Sequence, residues 1–348
     1  MRRWLARLEG ILIALGAIGA VGIVVLGGLA LLGHAPAAVL ATWFEGAAGN
    51  GVRLAMSLQE ACPLLLTGLA AAVAFRCGVW NIGAEGQFLL GAVTMVAFGT
   101  VLLPPGPGWL ALPSILLLSV GAGALWALLA TALERWRGVP VVLSTILLNF
   151  IAVAVVGMLV QGPLHDPTTS APQTAVIADQ ARLPLLIAGS RLHLGAVIAL
   201  LAAVVLWFVL RRTTIGFEVQ VVGLNPDAAR LAGMPVAARQ VLVMAVSGGL
   251  AGFAGAAQVA GVTGMLSGAP TSYGYAGIAV ALLGRLHPLG IVAAAVFMGM
   301  LGTGTRHLER RLAIPHDVGD VVQGLVVLTV VVAGLAARRA LHPRAEGA

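Results

Sequence analysis

From residue 11 to residue 32 the chain runs 22 residues without a charge, and a helix needs only about 20 apolar residues to cross the ~30 Å hydrocarbon core of a bilayer. Apolar runs of this kind recur along the chain, over residues 11–32, 54–75, 87–103, 110–133, 139–161, 193–210, 239–262, 274–284, 288–305 and 318–336. This repetition constrains the fold more than any single motif. Inside lipid the backbone must satisfy its own polar groups, which restricts such runs to helices or closed barrels, and runs of this length suit helices. The sequence therefore predicts an all-α polytopic membrane protein, one transmembrane domain over residues 1–348 with about ten transmembrane helices. The run at 274–284 is too short to cross as a regular helix and is expected to be a half-helix or re-entrant piece. Composition agrees: 59% of residues are hydrophobic and 9% charged, with a mean hydropathy of +1.01, against about 25% charged in soluble domains.

The first apolar run follows a charged "MRRWLAR" start. It exceeds the roughly 7–15 residues of a secretory signal and is expected to be retained as the first span. All twenty basic residues are arginine. With ten crossings and both termini inside, fourteen of them fall on the cytoplasmic side and six outside, the bias expected of an inner-membrane protein. The outward "RHLERR" run at 306–311 contradicts the bias locally. Either it faces outward, or one crossing near 274–305 is miscounted.

Several function classes drop out. A chain without lysine cannot form a Walker A loop, which requires Gly-Lys-Ser/Thr. Cys62 and Cys77, on one helix, would stand about 22 Å apart at about 1.5 Å per residue, beyond disulfide reach. No cluster of His, Cys and carboxylates has metal-ligand spacing, and no cofactor is implied. No nucleophile constellation or zinc motif points to an enzyme. The net charge of +7 is read as loop charge, not as a nucleic-acid surface.

Two polar regions interrupt the oil. The first is "AFRCGVWNIGAEGQFLLGAV", 74–93, where glycines weaken a continuous helix and Asn81, Glu85 and Gln87 offer hydrogen bonds at membrane depth. Polar groups there pack against one another or line a wet path. Both readings stand for Asn81, Glu85 and Gln87, as they do for Thr145 and Asn149, four apart on one face of the fifth span, and for Gln258, Tyr273 and Tyr275. Arg76 reads as an anchor reaching the cytoplasmic headgroups. The small-residue ladder Gly248, Gly252, Gly255 reads as close helix packing.

The second region is the loop 211–239. In it "NPDAARLAG" carries its own helix punctuation: Asn225 as cap, Pro226 at the first position, Asp227 at the positive end and Gly233 as a left-handed stop. So short a helix is marginal alone and needs something to dock against.

At these residues the sequence resembles the permease subunits of bacterial ATP-binding-cassette importers. "DAARLAG" (Asp227, Ala228, Ala229, Arg230 through Gly233) is similar to their Glu-Ala-Ala-x-x-x-Gly loop, with Asp for Glu. "NIGAEGQ", "STILLNFIA", "TTIGFEVQVVGLNPDAARLAGM" and "GYAGIAVALLGRLHPLGI" look like the simple-sugar and nucleoside branch, and resemble the larger permease of nucleoside importers. The resemblance implies a type II-like importer permease whose 225–233 helix couples to a separate ATP-binding subunit. It also implies a second permease subunit, an extracytoplasmic solute-binding protein, and a nucleoside or simple sugar as substrate, in a bacterial plasma membrane. Pentose, hexose or branched-chain amino acid transport is the alternative within that family. A proton-coupled secondary transporter using Glu60 or Glu85 is the alternative outside it.

Overall fold

A computed structural model of the chain describes residues 16, 19–31, 33–100, 108–267, 272–315 and 317–341, with side chains in the last helix described to Thr329 and at Val332. The expected first span therefore lies partly outside the described residues. The described residues form thirteen α-helices: α1 (Gly19–Leu31), α2 (Pro36–Ala48), α3 (Gly51–Arg76), α4 (Ala84–Thr100), α5 (Gly108–Arg137), α6 (Val141–Gln161), α7 (Leu194–Arg212), α8 (Thr214–Leu224), α9 (Pro226–Leu231), α10 (Val236–Gln258), α11 (Tyr273–Leu283), α12 (Pro288–Leu312) and α13 (Asp317–Leu341). No strand occurs among them; isolated bridges such as Gln173 to Ser267 are the only β pairing.

Six of these helices are long and apolar enough to cross a bilayer, or seven if α1 and α2, bent by 119°, count as one broken span. The expected ten include elements that fall short of that length. α4 has 17 residues, and α11, where a half-helix was expected, has 11.

The chain forms two compact units, residues 1–57 with 300–348, and residues 58–299. In the first, Leu29, Val39, Leu308 and Ile314 make a small core against which Trp43 and Val318 pack. Arg53 there bridges the Glu45 carboxylate at 3.0 Å and stands 3.3 Å from His307 Nε2.

The second unit is built around α10, which packs along α5 and α4, while α4 also packs on α5, α6 and α11. The seam is possible because both partners are small at the crossing. A Cβ on Gly91 of α4 would run into the Gly252 carbonyl of α10, and one on Gly123 of α5 into the Gly248 carbonyl. The glycine ladder is thus a backbone-to-backbone contact, as its spacing predicts. α5, α6 and α7 leave two thirds or more of their apolar windows uncovered, with Leu117, Leu125, Phe150, Met158 and Phe208 exposed, as helices bordering lipid do.

α10 ends in a π turn, Val259–Thr263, stopped by Gly264 at φ 68°. The 162–193 connection is strapped along this end: Thr174 N–H donates to the Leu266 carbonyl at 3.0 Å, Ile177 N–H to Gly264 at 2.8 Å and Leu183 N–H to Ala260 at 3.0 Å.

Candidate functional site

α3 stops at Arg76 because Gly78 takes φ 76°. Gly78 N–H then bonds the Phe75 carbonyl at 3.1 Å and Val79 N–H the Ala74 carbonyl at 3.1 Å, a Schellman stop that only glycine adopts freely. After seven intervening residues α4 begins at Ala84, three residues earlier than its expected start at 87. The stretch between, 77–83, is irregular backbone and must find its partners in side chains.

Those partners are the polar residues the sequence singles out. Asn81 and Gln87, both buried, exchange reciprocal amide bonds of 3.0 Å. Asn81 also donates to Ser247 Oγ at 2.8 Å and accepts from Gly83 N–H at 2.9 Å, and Ser247 passes its own proton to the Ala70 carbonyl. From α6, Thr145 Oγ1 accepts from Ile82 N–H at 3.3 Å. Asn149 accepts from Gly86 N–H at 2.8 Å and donates to the Ile82 carbonyl and to Tyr275 Oη. Thr145 and Asn149 therefore act on one side of the break, as their four-residue spacing predicts. Ser247 is the member that sequence reading missed. It sits at the head of the glycine ladder, where it reads as one more small packing residue.

Glu85 turns away from this group. Its buried carboxylate accepts from Ser272 N–H at 2.9 Å and Gly274 N–H at 2.8 Å, so a residue of α4 caps the free amides at the start of α11. Ser272 itself has φ 59° and offers no side-chain cap. A carboxylate at the positive end of a helix is favourable, and here it satisfies donors that membrane depth would otherwise leave bare. Beside it, Tyr273 Oη donates to Glu60 at 2.9 Å, and the Tyr273 ring lies 5.7 Å from that of Phe88.

At the other end of α11, Arg285 and Leu286 both take positive φ, 54° and 55°, a left-handed pair costing on the order of 1–2 kcal/mol per residue. The Arg76 guanidinium reaches this turn and donates Nε–H to the Leu286 carbonyl at 2.7 Å. Arg76 is half-buried and held to protein at its Nε–H, because the left-handed turn presents a carbonyl within reach.

Gln258 does not join the polar group. It lies at the start of the π turn, and its Oε1 meets no donor among the described residues. An apolar cavity of about 250 Å³ between α3, α7 and α12 is lined by Leu58, Cys62, Leu65, Leu192, Val197 and Val296 among others. It offers nothing to a hydroxyl-rich molecule. No group of three or more possible metal ligands occurs among the described residues.

The loop helix α9 has the features read from "NPDAARLAG". Asn225 accepts from Asp227 N–H and Ala228 N–H, each at 3.0 Å. Pro226 opens the helix, Arg230 pairs with Asp227 at 2.8 Å, and Gly233 stops it at φ 77°. Ala229 is buried beneath it, while Leu224 and Leu231 stand 87% and 91% exposed. The short α8 that carries it is fastened on three sides. Gln220 donates to the Leu210 carbonyl of α7 at 2.7 Å, Glu218 pairs with Arg239 of α10, and the Gly223 backbone rests on the Arg76 carbonyl.

A multi-span helical protein whose irregular segments are buried in protein, with a rigidly mounted, self-capped helix in one loop, has the build of a transport permease. Residues 53–331 match the family described as "Branched-chain amino acid transport system / permease component", and the chain belongs to it. It is 35% identical over 302 residues to the guanosine ABC transporter permease protein NupP of Bacillus subtilis, covering 86% of each chain. It is 33% identical to the nucleoside ABC transporter permease protein NupB of Lactococcus lactis, covering 83% of this chain and 82% of that one. It is 33% identical to the glucose ABC transporter permease protein TsgB13 of Haloferax volcanii, covering 94% and 88%. The chain is thus an ATP-binding-cassette transporter permease.

Proposed function

We propose that the chain is the translocating subunit of an importer for nucleosides or related simple sugars, with α9 seated in a separate ATP-binding subunit. The observation that carries this reading is α9 itself. Six residues of helix, capped at both ends, carry Leu231 bare to solvent, with Leu224 of α8 equally bare just before them, and a helix so short gains from a partner groove. A second permease copy or relative, an extracytoplasmic binding protein, about ten crossings and cytoplasmic termini complete the assembly in a bacterial plasma membrane. Nucleosides are favoured over hexoses because two of the relatives above carry nucleoside names and the family resemblance of "NIGAEGQ" points the same way.

Within this reading Asn81, Gln87, Thr145 and Asn149 are the joint that lets α3 and α4 break at membrane depth. Glu85 and Tyr273 hold the start of α11 beside the path, and Tyr275, half-exposed next to Asn149, presents a ring on which a base can stack. Gln258 contributes an unmatched acceptor near the exterior end.

Co-purification tests the proposal. The tagged chain, expressed with its neighbouring transport subunits, is expected to retain a P-loop ATPase, and deletion of residues 225–233 is expected to release it. Isolated chain that accumulates nucleoside without any ATPase would sink the proposal. The proton-coupled alternative is distinguished by Glu85→Gln. A proton carrier loses all uptake on that change, whereas a helix cap keeps one accepting oxygen and most of its transport.

A further inference from the structure

The two ends of α11 are both held from the α3–α4 connection. At the start, Glu85 accepts from Ser272 and Gly274; past the end, Arg76 donates to the Leu286 carbonyl in a left-handed turn. Nine residues separate Arg76 from Glu85, and the buried Asn81–Gln87–Ser247 bonds stiffen the stretch between them. The same connection is the seat of the loop bearing α9. A Cβ on Gly223 would collide with the Arg76 carbonyl, and one on Gly78 would stand 3.4 Å from Gly223 Cα. Gly223 is two residues from Asn225, the cap of α9. Elsewhere α8 is fastened to α7 and α10.

We propose that Arg76 is a positioning residue of the transport cycle: it passes displacement of α9, received through the Gly223 backbone, to the turn at Leu286 and so to α11. This rests on the permease reading and adds to it the route by which the loop reaches the membrane-depth helix. The physical reason is directional. Gly223 bears on the backbone of Arg76 with no side chain between to absorb movement, and interfaces of this kind transmit small shifts without yielding. The guanidinium then pulls on a carbonyl in backbone that is already strained, and a left-handed pair of non-glycine residues has a lower-energy alternative to move toward.

The experiment uses the whole complex in proteoliposomes, comprising the chain, its partner permease, ATP-binding subunits and binding protein, with labelled guanosine and labelled glucose as probes. For Arg76→Ala, co-purification of the ATPase is expected to be normal and ATP hydrolysis within two-fold of wild type, while molecules imported per ATP fall at least ten-fold. Amide hydrogen exchange across 272–287 is expected to change on ATP binding in wild type and to lose that change in the variant, a readout that simple destabilisation does not produce. Gly223→Ala, which wedges the contact from the other side, is expected to show the same split and decides the matter if Arg76→Ala fails to assemble. An unaltered import ratio, or a nucleotide-dependent exchange change that persists in the variant, overturns the proposal. If wild type itself retains no ATPase, the permease reading fails first and this inference with it.

Discussion

Asn149, itself buried, holds three partners at once: Gly86 N–H, the Ile82 carbonyl and Tyr275 Oη. Replacing it by alanine leaves a buried amide and a buried carbonyl bare, and each such loss costs about 1–3 kcal/mol. Asn149→Ala is therefore expected to lower stability by about 2–4 kcal/mol, read as an earlier unfolding midpoint in detergent. Thr145→Ala, which removes one long bond of 3.3 Å across the joint and a local one to the Val142 carbonyl, is expected to move the midpoint less. His193 makes a second residue-scale case, outside the spans. It caps α7 by accepting from Gly195 N–H through Nδ1 at 3.1 Å, its Nε2 meets no partner among the described residues, and burial pushes its imidazole down to about 4. Unfolded histidine titrates near 6.5, so the folded form binds the proton later than the unfolded one. Stability from the neutral ring is complete above about pH 6.5 and is lost as pH falls toward and through 4. The unfolding midpoint is expected to drop over that window, and His193→Asn, which keeps an acceptor but does not titrate, is expected to flatten the drop.

At the scale of elements, the close approach of α4, α5 and α10 makes a sharp contrast between glycines of one composition. Gly91→Ala forces a methyl into the Gly252 carbonyl, whereas an added methyl on Gly121 of α5 meets nothing within 4 Å. Overpacking costs about 1–3 kcal/mol, so Gly91→Ala is expected to lose folded yield and midpoint, and Gly121→Ala to match wild type. α9 was the most legible element, because Asn225, Pro226, Asp227 and Gly233 each act on the local backbone and need no tertiary partner to be understood. The break after Arg76 was legible for the same reason, from Gly78. What the sequence does not carry is destination. Glu85 is a polar residue at depth in any reading, and only the return of α11 shows that its carboxylate closes a distant helix. Arg76 is alike: an arginine at a helix end reads as an anchor, and nothing local to it announces the Leu286 turn to which it bonds. Gln258 shares the polarity of the joint residues but not their place, since on α10 it lies eleven residues beyond Ser247, about 16 Å along the axis at about 1.5 Å per residue. Asn225→Ala is expected to cost α9 about 1 kcal/mol and Leu231→Asp to leave the fold intact, with both weakening ATPase retention in a pull-down.

For the molecule as a whole, the open question is which ends of the spans share a side. Ten crossings place the 162–190 strap and the 306–311 arginines outside and the α5–α6 turn inside; one crossing fewer near α11 turns the 306–311 arginines inward and carries Arg285 and the C-terminal Arg338, Arg339 and Arg344 outward. α11 is where the count is decided, because an 11-residue helix covers about 16 Å at about 1.5 Å per residue, half the hydrocarbon depth, and its start is capped by a side chain from α4 and not by water. A chain entering as α11 and leaving as α12 either returns to its own side or crosses with the help of the irregular residues before it. Both native cysteines are buried and should stay silent toward a membrane-impermeant maleimide, so single introduced cysteines report topology directly. Ala171→Cys, Arg137→Cys and Glu309→Cys each replace an exposed residue outside the polar joint and α9. In intact cells or spheroplasts, labelling is expected at 171 and 309 and not at 137; after permeabilisation, all three react. If 309 reacts only after permeabilisation, α11 is a true re-entrant loop that exits where it entered. The arginines of α12 then lie inside, as the positive-inside bias favours, while Arg338, Arg339 and Arg344 move outside with the C-terminus.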